Sequence, residues 1–186
     1  MIKIIGLTGK KGHGKTTAKD AIAKHYGAIT SVNFKDALIE TMRNKLGRTL
    51  SLMGEHYNMT VDELFVNKPP MMRTLMQEVG TEIYRGIKDD WWVLEWYKSI
   101  ASITEEGVVV TDDVRFKNEA MILKAKHGIL VRIVREGYED NVATNHASET
   151  EMDGLEVDYT VTASNKEELE EKIYQLIKSW DHNQTG

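Results

Sequence analysis

The chain has 186 residues, of which 28% are charged and 41% apolar, with a net charge of −5 and no cysteine. That length suits one domain with a sizeable core, and the acidic balance argues against a general nucleic-acid or membrane-surface binder. The lack of cysteine excludes disulfides, thiolate metal sites and a cysteine nucleophile, and no signal-peptide pattern or bilayer-length apolar run is present, so an intracellular, cytoplasmic setting is expected.

Short apolar runs rich in β-branched residues alternate with helical patterns. The predicted elements are strand 2–7, helix 15–26, strand 28–32, helices between 35 and 65, helix 70–87, helix 90–104, strand 107–111, helix 116–127, strand 129–134, strand 157–162 and helix 166–180. The two prolines, Pro69 and Pro70, suit a helix start. Five strands separated by helices predict an α/β fold. Its five-stranded parallel sheet is flanked by helices, with ligands at the carboxyl ends of the strands. No repeat, low-complexity tract or linker divides the chain.

The first strand runs into "GKKGHGKTT", where Gly9, Gly14, Lys15 and Thr16 fit G-x-x-x-x-G-K-[ST] between a strand and a helix. The glycines let backbone N–H groups converge on phosphate oxygens, Lys15 reaches the β and γ phosphates, and the Thr16 hydroxyl suits Mg²⁺. "GVVVTDDVRF", residues 107–116, ends a second buried-strand pattern on Asp112, Asp113 and Arg115. A carboxylate there suits a metal ion and an arginine suits a transferring phosphoryl group, although paired aspartates equally suit a helix cap. The D-x-x-G and N-K-x-D elements of a GTPase are missing: "NKEE" ends in Glu168. A motor would need a larger chain with a helical lid domain. The six histidines lack zinc-ligand spacing.

Between residues 71 and 92, Met72, Leu75, Met76, Val79 and Ile83 recur at helical spacing and are expected to be buried. Arg73, Gln77, Gly80, Thr81 and Tyr84 form a second stripe. It is either a solvated face or a surface able to receive a phosphate and a base. Trp91 and Trp92 read as core or surface aromatics, or as a stacking platform.

The ordered set "GKKGHGKTTAKD", "NFKDALIE", "RTLMQEVGTE" with "DDWW", "TDDVRFKNEA", "VRIVREG" and "HASETEMDGLEVDYTV" resembles the bacteriophage-type deoxynucleoside monophosphate kinases along nearly the whole chain. The resemblance implies a single domain of the P-loop, nucleoside monophosphate kinase-like fold, with a helical acceptor region at about 34–104 and a short lid at about 136–150. It implies transfer of the γ-phosphoryl of ATP to a deoxynucleoside 5′-monophosphate, with ATP and Mg²⁺ as cofactors. The partner is a small molecule, without nucleic acid or membrane, and the chain is a monomer or homodimer, in a host bacterial cytoplasm if phage-encoded. By the same resemblance Gly9, Lys10, Lys11, Gly12, His13, Gly14, Lys15, Thr16 and Thr17 bind the ATP phosphates, joined by Arg132. Lys15, Asp113, Arg115 and Arg135 act in catalysis, and Thr16 with Asp112 or Asp113 serves the metal. Arg73 and Arg115 clamp the acceptor phosphate, while Phe34, Lys35, Gln77, Thr81 and Trp92 line the sugar and base pocket. His146 is either a lid contact or a surface histidine. Phosphomevalonate and dephospho-coenzyme A kinases share the resemblance more weakly, and a non-enzymatic nucleotide switch could use the same loop.

Overall fold

The computed structural model describes residues 2–138 and 151–184. Five strands form one parallel sheet in the order β2-β3-β1-β4-β5. They are β1 (Ile2–Thr8), β2 (Thr30–Ser31), β3 (Gly107–Thr111), β4 (Ile129–Arg135) and β5 (Tyr159–Ala163). Central β1 pairs with β3 and β4, so Ile5 stands opposite both Val110 and Ile129. That is why β1 is buried from Ile4 to Thr8 and reads as a continuous apolar run rather than an alternating one.

The contacts divide the chain into two compact units: residues 1–33 with 100–186, and Phe34–Ser99. In the first, α1 (Lys15–Tyr26) and α7 (Lys166–Gln184) bury Ala18, Ile22, Ile173 and Ile177 with Ile5, Leu7, Val110 and Ile133 of the sheet. Helix α6 (Lys117–Ala125) comes so close to β1 that a Cβ on Gly6 would collide with the Leu123 side chain. Helix α1 ends at Gly27, with a positive φ of 77° that glycine adopts without strain.

The second unit is helical. Helix α2 (Phe34–Tyr57) is broken at Leu46, and α3 (Val61–Asn67) starts on a Thr60–Glu63 capping box. Helix α4 (Pro70–Gln77) begins on Pro70, which offers a preset φ and lacks an N–H that would go unused. Helix α5 (Trp91–Ala101) closes the unit and runs two residues beyond it. Leu38, Met42, Leu50, Leu64, Phe65, Met72, Val79 and Trp92 form its core.

The helix predicted over 70–87 is instead α4 followed by a π-helical segment, Glu78–Arg85. Five-residue spacing puts Tyr84 on the side of Val79 and Arg85 on the side of buried Gly80, so Arg85 is only 7% exposed. Ile83, expected in the buried stripe at α-helical spacing, rotates outward to 50% exposure. Strand 28–32 is likewise cut to the two residues of β2. Among the described residues no helix is long and apolar enough to cross a membrane.

Candidate functional site

The turn between β1 and α1 takes its shape from three glycines with positive φ: Gly9 at 142°, Gly12 at 85° and Gly14 at 99°. A Cβ on Gly9 would run into the carbonyl oxygen of Ile133, so only glycine lets the loop leave β1 against β4. Gly14 is the N-cap of α1 and has no side chain to cap the first turn, whose N–H groups and positive dipole end face the loop. The Lys15 ammonium folds back over this loop and donates to the carbonyls of Gly9, at 2.5 Å, and Lys10, at 2.9 Å. Thr16 is exposed and Thr17 half-buried in the first turn.

The end of β3 is fastened to the same helix. Thr111 Oγ1 donates to Val32 O at 2.7 Å, and the Asp112 N–H donates to Asn33 Oδ1 at 2.9 Å. The Asp112 carboxylate then pairs with Lys19 Nζ at 2.6 Å. Lys19 lies one helical turn after Lys15, so the pair places a β3 carboxylate against the first two turns of α1. Asp113 is half-buried beside it. Helix α6 starts at Lys117, and Glu119 in its first turn accepts the N–H groups of Arg115 and Phe116.

At the end of β4 a cavity of about 320 Å³ is lined by Gly9, Lys10, His13, Arg132, Arg135, Tyr138 and Asp153, among others. His13 is 8% exposed and its Nδ1 faces the backbone N–H of Arg135 at 3.3 Å. The Arg135 guanidinium lies 5.2 Å from the Tyr138 ring centre. Arg132, expected at the ATP phosphates, lines this cavity, and its Nη2 faces the carbonyls of Met152, Asp153 and Leu155 at 3.1, 3.3 and 2.8 Å. These contacts engage one nitrogen of the guanidinium and tie Arg132 to that segment.

In the second unit Arg73 is exposed on α4, while Gln77 and Thr81 are half-buried on α4 and the π-helical segment. Lys35 is half-buried. Phe34 and Trp92, expected to line a pocket, are 3% and 4% exposed, and Trp92 belongs to the unit's core. Phe34 stacks on Trp96 at 5.1 Å, and the Trp92 indole N–H donates to Gly80 O at 2.8 Å under the Tyr84 ring. Burying both rings removes large apolar areas from water, and the indole N–H still finds an acceptor. His146 and positions 139–150 of the expected lid lie outside the described residues.

Lys19 and Glu119 were missed by the sequence reading. Helical spacing from Lys15 to Lys19, and the three-residue step from Phe116 to Glu119, were the available signals. Nothing in the sequence marked Arg85, whose burial follows from the π-helical phase.

No family model matches the chain. A protein of Acanthamoeba polyphaga mimivirus, provisionally named deoxynucleotide monophosphate kinase, is 29% identical over 199 residues, covering 96% of this chain and 96% of that protein. The family resemblance read from the motifs stands. Among solved structures, TT1252 from Thermus thermophilus aligns with a TM-score of 0.53 at 14% identity, over 95% of this chain and 96% of that one. A shikimate kinase from Bacteroides thetaiotaomicron aligns at a TM-score of 0.44 and 16% identity, over 96% and 98%. The strand, glycine loop and helix, set in a parallel sheet, make this a P-loop fold.

Proposed function

We propose that the chain transfers the γ-phosphoryl group of ATP to a deoxynucleoside 5′-monophosphate, giving the diphosphate and ADP. The observation that carries this reading is the Lys19–Asp112 pair, which sets a strand-end carboxylate against the helix that begins with Lys15 and Thr16. The mimivirus relative supports a nucleotide acceptor by its name and by coverage of nearly the whole chain.

In this reading the N–H groups of residues 9–17 cradle the ATP phosphates, and Lys15 exchanges its carbonyl partners for phosphate oxygens. The Thr16 hydroxyl and the carboxylates of Asp112 and Asp113 are hard oxygen donors suited to Mg²⁺. Such a cation would take its other ligands from phosphate and water. Mg²⁺ supplies charge neutralisation on the β and γ phosphates when bound. An acceptor phosphate oxygen attacks the γ-phosphorus, the bond to the β–γ bridging oxygen breaks, and ADP leaves with that oxygen. Arg115 and Arg135 offset the charge of the transferring group, and Arg73 and Arg115 hold the acceptor phosphate, Arg73 beside Gln77 and Thr81.

The test is ADP release by the purified chain with ATP, Mg²⁺ and, singly, dAMP, dCMP, dGMP and dTMP. Phosphomevalonate and dephospho-coenzyme A serve as the competing acceptors. Stimulation by at least one deoxynucleotide is expected. Stimulation by neither class removes the kinase reading in favour of a nucleotide switch, and stimulation only by a non-nucleotide reassigns the acceptor.

A further inference from the structure

Three glutamates in this chain, Glu63, Glu119 and Glu168, stand third in a helix, and they are used differently; Glu168 in α7 takes the N–H of Ser164 at 2.8 Å in an exposed contact. Glu63 at the start of α3 is exposed and reaches back to the N–H of Thr60, the residue that caps its helix. Glu119 in α6 is only 3% exposed. Its Oε2 takes the N–H of Phe116 at 3.1 Å, the ordinary return contact, and also that of Arg115 at 2.8 Å. The second bond reaches one residue beyond the cap, and that residue is the arginine of the D-D-V-R-F turn. Burying a carboxylate costs far more than leaving it at the surface, and capping alone does not require it, as Glu63 demonstrates.

The other side of the turn is fixed as well. The Val114 N–H donates to Leu7 O at 3.3 Å, at the end of the central strand. Val114 is 1% exposed and Phe116 is 8% exposed, so both neighbours of Arg115 are anchored in the core while Arg115 itself is half-buried. The backbone of Arg115 is thus pinned by its own N–H and by the residues on either side, which sets the direction in which its long side chain departs.

We propose that Glu119 is a positioning residue for Arg115, orienting its guanidinium for the phosphate of the acceptor nucleotide; this rests on the function proposed above. An arginine whose first bond vector is fixed loses less freedom on binding a phosphate. A small tilt of that vector is magnified at the guanidinium several bonds away.

The experiment measures KM for ATP and for each of the four deoxynucleoside monophosphates, with kcat, in Glu119→Ala, Glu119→Gln, Arg115→Ala and the Glu119→Ala/Arg115→Ala double variant. Glu119→Ala is expected to raise the acceptor KM about tenfold, with the ATP KM within about twofold of the parent. Glu119→Gln, which keeps one acceptor oxygen at the same reach, is expected to restore most of the loss. The double variant is expected to be no worse than Arg115→Ala, because one residue acts through the other. Ile177→Val in the core of α7 serves as a control for general loss of stability and is expected to leave the acceptor KM unchanged. The proposal is overturned if the two losses add, if ATP and acceptor KM rise together, or if Ile177→Val raises the acceptor KM equally. Loss in Arg115→Ala without loss in Glu119→Ala overturns it alone, whereas no effect of Arg115→Ala overturns the role of Arg115 on which it rests. If Glu119→Ala does not fold, Glu119→Asp, too short to span both N–H groups, provides the same comparison.

Discussion

The carboxylate of Asp112 is 2.6 Å from the ammonium of Lys19, and both side chains are mostly buried, at 11% and 24% exposure. Asp113, next in the chain, is the aspartate that aligns with the D-V-R-F pattern. In the reading proposed above, the ion pair suits Asp112 to a structural role and leaves Asp113 for Mg²⁺. Asp112→Asn should cost about 1–2 kcal/mol of stability, because it leaves Lys19 with its partner's charge removed. Asp113→Asn should instead raise the Mg²⁺ concentration for half-maximal turnover about tenfold, since each lost carboxylate weakens a site that depends on few protein ligands. Denaturant titration and Mg²⁺ dependence separate the two, and the reverse pattern would exchange the roles.

Lys15 donates to two carbonyls of its own loop. Its replacement by alanine should lower kcat by about 10²-fold or more while shifting the melting temperature little. A large loss of stability would mean that the ammonium is a structural staple of the loop.

Thr8 is fully buried at the end of β1, and its Oγ1 is the one buried side-chain polar atom among the described residues without a hydrogen-bond partner. Replacing it with valine removes an unsatisfied hydroxyl without changing the side-chain shape. The variant should be more stable by about 1 kcal/mol in thermal or denaturant unfolding. A less stable variant would require a partner for that hydroxyl.

Asp181 near the end of α7 accepts from Lys3 at 2.7 Å and from the Tyr26 hydroxyl at 2.7 Å, and it meets His25 at 3.3 Å. Burial pulls its carboxyl upward, but the hydrogen bonds from Lys3, Tyr26 and His25 more than offset this and hold it below the usual aspartate range. With the folded value depressed, its stabilising contribution is complete above the unfolded aspartate range and is lost as pH falls through the folded value. Asp181→Asn should therefore lower stability by about 1 kcal/mol at pH 7 and flatten the decline below about pH 4. Equal acid limbs in the two proteins would remove Asp181 from this account.

Elements carried by local pattern were readable from the sequence: β3 spans 107–111 and α1 spans 15–26, as predicted. What eluded the reading depends on contacts rather than periodicity. Ile83 leaves the buried stripe because the segment Glu78–Arg85 has π-helical rather than α-helical phase, which the α-helical spacing of its apolar residues does not reveal. The contacts of Arg132 with the carbonyls of Met152, Asp153 and Leu155 were likewise not legible in its residue type. The loop glycines were legible because each answers a backbone requirement that the sequence alone exposes.

The stretch Phe34–Ser99 leaves the chain after β2 and returns before β3, two strands that are hydrogen-bonded neighbours. Its two ends thus join adjacent threads of one sheet, and none of the remaining sheet connections passes through it. Such an insert is joined like a cassette: it can be exchanged at two splice points while the sheet keeps its hydrogen-bond ladder.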